Sequence, residues 1–236
     1  TKRSSMRIHT IEHVPFEGPA ALEIWALERG HSLARTPMYR EEPPPSLDAI
    51  DLLAVMGGPM SVHDERDHPW LIKEKAFLRE AVQRGKRILG VCLGAQLLSE
   101  VLGGAVDRNP EPEIGWLPVE LTAEGSASPL FAGLPATFGA FHWHGETFSI
   151  PPGGARLAKS QGCANQAFAY GEGILGLQFH LETTPRSMEL LIENCSDEIV
   201  DAPFVQNAER MRALVEEHRR IRPLMNLLLD NLTKES

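Results

Sequence analysis

The sequence predicts an α/β fold: an open, mostly parallel sheet flanked by helices, with a small antiparallel excursion and a C-terminal helical extension. Three observations predict it. Apolar runs without polar alternation stand at Ile50–Met56 and Arg87–Val91, with a first strand at Met6–Val14, the content of strands buried on both faces. Helix-periodic segments separate them, over about residues 19–29 and over Trp70–Gln83. Strands that alternate with helices need crossover connections, which make the strands parallel and lay the helices on the sheet.

Taken in order, the first helix ends at Gly30, a residue suited to a C-cap, and Glu41-Glu42-Pro43-Pro44-Pro45 is a stiff loop. Ile50–Met56 empties into Gly57-Gly58-Pro59, so its end opens at a ligand site. Gly85 stops the second helix and Arg87–Val91 leads into Cys92. From Trp116 to Ser160 the pattern turns to shorter strands and Pro/Gly turns, with Val119–Leu121 and Phe138–Phe141 as strands. Ala167–Tyr170 and Ile174–Phe179 form a hairpin around Gly171-Glu172-Gly173 that delivers His180 at a strand end. Beyond Pro185 the segments are helical. The expected organisation is one domain over residues 1–196 and a helical extension over 197–236 packed on it, with residues 1–5 as a lead-in to the first strand.

Composition excludes several classes of partner. The chain has 236 residues, 42% of them hydrophobic, enough for a substantial core. A net charge of −9 argues against nucleic acid and anionic membrane surfaces, which are held mainly by lysine and arginine. No apolar run approaches the ~18 residues that span a bilayer. Three cysteines without paired spacing point to neither a disulfide framework nor a cysteine-rich zinc site, and a reducing cytoplasm suits them.

Chemistry concentrates at Gly90-Val91-Cys92-Leu93-Gly94-Ala95-Gln96. A reactive side chain between glycines, after a strand and before a helix, has the pattern of a nucleophile elbow, and the helix N-terminus favours a thiolate. Taken alone, the pattern equally describes a buried cysteine in a tight turn. A nucleophile needs a base, and the base needs an orienting group. In His180-Leu181-Glu182, residues i and i+2 of an extended segment project to one side, so imidazole and carboxylate sit together. Gly58 and the Leu93 N–H supply donors for a tetrahedral oxyanion.

With these residues in view, the chain resembles the class I glutamine amidotransferase domains of the guanylate-synthase type over Met6–Ser196. The carrying pieces, in family order, are Gly57-Gly58-Pro59, the cysteine elbow, Glu113-Ile114-Gly115-Trp116, His144-Gly145-Glu146 and Gln178-Phe179-His180-Leu181-Glu182. The resemblance implies that Cys92 attacks the side-chain amide of glutamine or a related γ-glutamyl amide, that His180 passes a proton to the departing ammonia, and that Glu182 orients His180. It also places Gln96 and His144-Gly145-Glu146 around the substrate's amino-acid end, with Glu146 meeting the ammonium. Trp143 and Trp116 are candidates for the pocket wall or for core. Leu181 stands where the family commonly has proline, and Glu146 where it often has aspartate.

No cofactor or metal is called for. Gly171-Glu172-Gly173-Ile174-Leu175-Gly176 precedes a strand instead of opening a helix, so it is no dinucleotide loop. His63 and His68 are spaced unlike a helical metal pair and read as a charged loop, His142 and His144 as pocket lining or core, and Cys163 and Cys195 as buried. Three functions follow: a stand-alone γ-glutamyl peptidase, a glutaminase whose ammonia goes to a separate synthase or acceptor subunit, or a non-catalytic module binding an amino-acid metabolite.

Overall fold

A computed structural model describes residues 5–234. The sheet has nine strands in the order β2-β1-β3-β4-β9-β8-β7-β5-β6. Its parallel part comprises β1 (Arg7–Glu12), β2 (Ser32–Pro37), β3 (Leu52–Val55), β4 (Arg87–Val91) and β9 (Ile174–Leu177). The central strands β3 and β9 are buried at every position, which is why they read as unbroken apolar runs. The helix α1 (Ala21–Glu28) is followed by Gly30 at φ 71°, the left-handed turn that ends it. The helix α2 (Trp70–Gln83) buries Trp70, Leu71, Leu78 and Ala81 at helical spacing, together with Glu74 and Lys75.

Between α3 (Leu93–Val101) and the return to the parallel sheet, the chain builds β5 (Val106–Leu121), the short α4 (Ala123–Ala127), β6 (Thr137–Phe148), β7 (Ala155–Lys159) and β8 (Ala167–Tyr170), all antiparallel to their neighbours. The expectation of shorter strands from Trp116 to Ser160 is corrected here. β5 runs for 16 residues and β6 for 12, and their register shifts between Arg108 and Glu113. Pro110, Pro112 and Pro118 break the alternation that marks a strand, and the local irregularity absorbs two of them. The strand β2 also went unread, because it lies at the sheet edge with only Thr36 fully buried.

The helix α5 (Pro185–Asn194) starts on a capping box in which Thr184 Oγ1 accepts from the Ser187 N–H and Ser187 Oγ accepts from the Thr184 N–H. The chain continues through α6 (Ala208–Ala213) and α7 (His218–Leu232). α7 buries Ile221, Met225, Leu228, Leu229 and Leu232 in the same core as Trp25 of α1. Its Asp230 accepts from the Trp25 indole and the Arg29 guanidinium. The segment before α6 is stitched to β5: the Ile114 N–H donates to Phe204 O, the Gln206 N–H to Ile114 O, and the Gln206 side chain spans both Trp116 backbone groups. Among the described residues, no helix is long and apolar enough to cross a membrane.

Candidate active site

The site lies where β3, β4 and β9 end side by side, at the carboxyl edge of the parallel sheet. β4 delivers Cys92 at φ 52° and ψ −110°, a strained conformation for a residue with a side chain, and α3 begins at Leu93. The turn is tight enough to dictate its glycines. A Cβ on Gly94 would stand 1.9 Å from Val55 O, and one on Gly90 would stand 2.6 Å from Gly94 O. The Cys92 N–H is anchored on Leu177 O at 2.7 Å, so β9 fixes the elbow as well as carrying the histidine beyond it.

Cys92, His180 and Glu182 come together, although the histidine is far along the chain. His180 Nδ1 lies 2.6 Å from Glu182 Oε1, and all three side chains are buried. The His180 backbone bridges to Phe141 in both directions, which locks the segment after β9 against β6. His180 Nε2 has no other hydrogen-bond partner and interacts with the thiol. The Cys92 Sγ–H reaches Trp143 O at 3.5 Å, while Gln178 Nε2 donates to the sulfur at 3.5 Å. Burial pushes the thiol up, opposed by His180 and by the Leu93 N–H. Burial works against a charged His180, yet Glu182 and the thiol outweigh it and hold the imidazole well above its ordinary value.

In front of the thiol is a cavity of about 300 Å³ lined by Gly58, Gln96, Trp143, His144, Gly145 and Glu146, with Cys92 at its base. Those residues were expected there; Trp116 is not among them. Its ring packs edge-on against Phe141 in the core and its indole donates to Met211 O. Gln96 Nε2 donates to Glu146 O and to Gln178 Oε1, so it braces the wall. The Glu146 carboxylate accepts from Ser61 Oγ at 3.0 Å and remains half-buried. His144 holds the same wall: Nδ1 faces Glu146 O at 2.8 Å and Nε2 faces Glu113 Oε2 at 2.7 Å. Glu113 also accepts from Ser160 Oγ and Gln166 Nε2. Burial opposes its ionisation, but these bonds and the two histidines draw it down to about 2. His142, wholly buried beside them, is lowered to about 4 because burial outweighs Glu113.

The sequence reading missed Glu17, Glu198, Asp64 and Cys195, which also line the cavity. Glu17 comes from the loop after β1; burial lifts its carboxyl to about 7, against the pull of His180. Glu198 accepts from the Trp143 indole. Neither sits in a motif, and only the packing of distant loops brings them to the thiol. Among the described residues, the group of ligating atoms close enough to hold a metal is Glu113, His144 and Cys163, within 4.8 Å. Their polar atoms are already engaged, Cys163 with Thr147 Oγ1 and Asn165 O. His63 and His68 diverge, one to Val106 O and the other onto Trp70.

The model of the glutamine amidotransferase class-I family matches residues 26–198. The chain belongs to this family. As an amidotransferase it is 37% identical over 217 residues to the glutamine amidotransferase-like protein YfeJ of Salmonella typhimurium, covering 88% of this chain and 90% of that one. It is 33% identical over 162 residues to a separately encoded subunit of the glutamine-hydrolyzing GMP synthase of Sulfurisphaera tokodaii, covering 66% of this chain and 82% of that subunit. Of the glutamine-hydrolyzing GMP synthase of Aeropyrum pernix the amidotransferase spans only 27%, at 35% identity. A crystal structure of a glutamine amidotransferase from Thermotoga maritima superposes with TM-score 0.89 at 30% identity, covering 99% of this chain and all of that one. Another from Methylobacillus flagellatus gives 0.89 at 28%, covering 97% and 94%.

Proposed function

We propose that the chain hydrolyses the side-chain amide of glutamine, or a related γ-glutamyl amide, through a thioester on Cys92. The observation that carries this is the thiol on a strained elbow facing an imidazole whose far nitrogen is held by Glu182 at 2.6 Å. His180 takes the thiol proton as sulfur attacks the amide carbon, and the oxyanion meets the N–H groups of Gly58 and Leu93. The proton passes to the amide nitrogen, the C–N bond breaks, and ammonia or amine leaves. Water, deprotonated by His180, attacks the thioester; the C–S bond breaks and glutamate departs with the thiol restored.

Gln96, Trp143, His144, Gly145 and Glu146 form the wall that receives the amino-acid end. Four carboxylates line the cavity, Glu17, Asp64, Glu146 and Glu198, which suits the substrate's ammonium. Residues 1–196 make up the amidotransferase-like domain and 197–236 extend it, a division supported by the family match ending at 198 and by α7 packing on α1. The likeness to a GMP synthase subunit supports delivery of ammonia to a separate partner; the likeness to YfeJ over nearly its whole length suits action on γ-glutamyl compounds alone.

Release of ammonia and glutamate from glutamine and from γ-glutamyl dipeptides tests the proposal, with Cys92→Ala as control. Turnover lost in Cys92→Ala is the expected result. Dipeptide turnover without glutamine turnover selects the peptidase, and no turnover of either, with or without a synthase subunit, overturns the hydrolase reading.

A further inference from the structure

One buried ion pair in this molecule has no part in the chemistry just described. His13 follows β1 and Glu74 lies within α2; their side chains are completely buried, with His13 Nε2 2.9 Å from Glu74 Oε1. The other ring nitrogen, Nδ1, lies 3.1 Å from the carbonyl oxygen of Gly57. The ring is stacked on Trp70, with centroids 5.7 Å apart and planes at 23°, so packing fixes its orientation. Both nitrogens face oxygen acceptors, and both bonds form when each carries a proton. Burial works against a charged His13, but Glu74 and the Gly57 carbonyl prevail and raise it.

The carbonyl so held belongs to the Gly57–Gly58 peptide. Among the described residues every peptide is trans, and in a trans peptide C=O and N–H point to opposite sides. His13 is buried behind the turn, whereas Gly58 and Cys92 share the cavity in front of it. Anchoring the Gly57 oxygen toward His13 therefore turns the Gly58 N–H toward Cys92. That N–H has no protein acceptor among the described residues. A peptide between two glycines has no Cβ to oppose rotation. Rotated by half a turn, it would present a carbonyl oxygen to the negative charge growing on the substrate, replacing a stabilising dipole by a repulsive one.

We propose that His13, held by Glu74, is a positioning residue that clamps the Gly57–Gly58 peptide with its N–H aimed at the oxyanion formed over Cys92. The proposal rests on the thioester chemistry above.

The test compares three chains: Glu74→Gln, Glu74→Gln with His13→Phe, and Glu74→Gln with His13→Asn. The common background leaves no buried carboxylate unpaired; phenylalanine keeps a ring on Trp70 without a donor, and asparagine restores an N–H near Gly57. Two quantities are read. One is kcat and KM for whichever γ-glutamyl amide the wild-type chain turns over. The other is affinity for glutamate γ-semialdehyde, whose hemithioacetal with Cys92 places an oxygen where the oxyanion forms, with iodoacetamide alkylation of Cys92 as a control that needs no oxyanion donor. The phenylalanine chain is expected to lose roughly 10²-fold in kcat and comparably in aldehyde affinity, with KM and the alkylation rate nearly unchanged. The asparagine chain recovers to within about tenfold of Glu74→Gln.

Equal kcat and equal aldehyde affinity in all three chains overturn the clamp and leave the hydrolase reading intact. Absence of wild-type turnover overturns the hydrolase reading, and aldehyde affinity still decides the clamp. Should thermal melting show that the phenylalanine chain does not fold, His13→Leu in the same background replaces it; should neither fold, aldehyde affinity of the asparagine chain more than about tenfold below Glu74→Gln counts against the clamp.

Discussion

At the scale of single residues, the pocket is governed by groups whose ionisation the fold displaces. His180 is held above its ordinary value by Glu182, and a base must be unprotonated to accept the thiol proton, so activity rises with pH on the alkaline side of ordinary imidazole. Glu182→Gln is expected to shift that rising limb toward lower pH and to reduce kcat by up to about 10⁴-fold, the cost of the equivalent amide substitution in a serine triad. A pH–rate profile of the variant checks this, and an unmoved limb would contradict it. Glu17 works in the opposite sense on stability. Its carboxyl is lifted from 4.5 to about 7, so the folded chain binds more protons than the unfolded one in that window and loses stability as pH rises through it. Glu17→Gln should stabilise the protein at pH 8 and make little difference at pH 4, as urea titrations at the two pH values would reveal. The strain at Cys92 was legible as a pattern of flanking glycines. The acid at Glu17 was not, because burial of a loop carboxylate depends on what packs over it.

At the scale of elements, the β5–β6 ribbon is pinned by Glu113. Its carboxylate takes hydrogen bonds from His144 on β6 and from Ser160 and Gln166 beyond β7, and through His144 it fixes the Glu146 wall of the cavity. Breaking such a buried ionic network costs about 3–5 kcal/mol. Glu113→Gln is expected to lose that much stability at neutral pH in denaturant titrations. The carboxyl is depressed from 4.5 to about 2, so its contribution is complete above the unfolded value and fades as pH falls through the folded one. The gap between variant and wild type should therefore narrow in acid. The parallel strands were readable because β3 and β9 are apolar throughout. The full extent of β5 was not, because its prolines mimic loop and its pairing with β6 is set by tertiary register.

At the scale of the whole molecule, the helices after residue 197 complete the core that lies behind the site. Leu228 is wholly buried against the cluster containing Trp25 and Phe141. Leu228→Ala is expected to cost about 2–5 kcal/mol and to leave a single cooperative unfolding transition, measurable by calorimetry. Two separated transitions would show that the extension folds apart from the rest. The family, the parallel core, the elbow and the His180-Leu181-Glu182 pair were all determined by the sequence itself, since each is local: a run of apolar residues, a turn that admits only glycine, an i, i+2 spacing. Other features were decided only by the tertiary structure. The meeting of Cys92 with His180, the carboxylates of Glu17 and Glu198 at the cavity, and the pairing of His13 with Glu74 behind Gly57 all join residues distant in the chain. The physical reason is that burial and charge are properties of a place in the fold, and a sequence states which groups exist without stating which of them share a place.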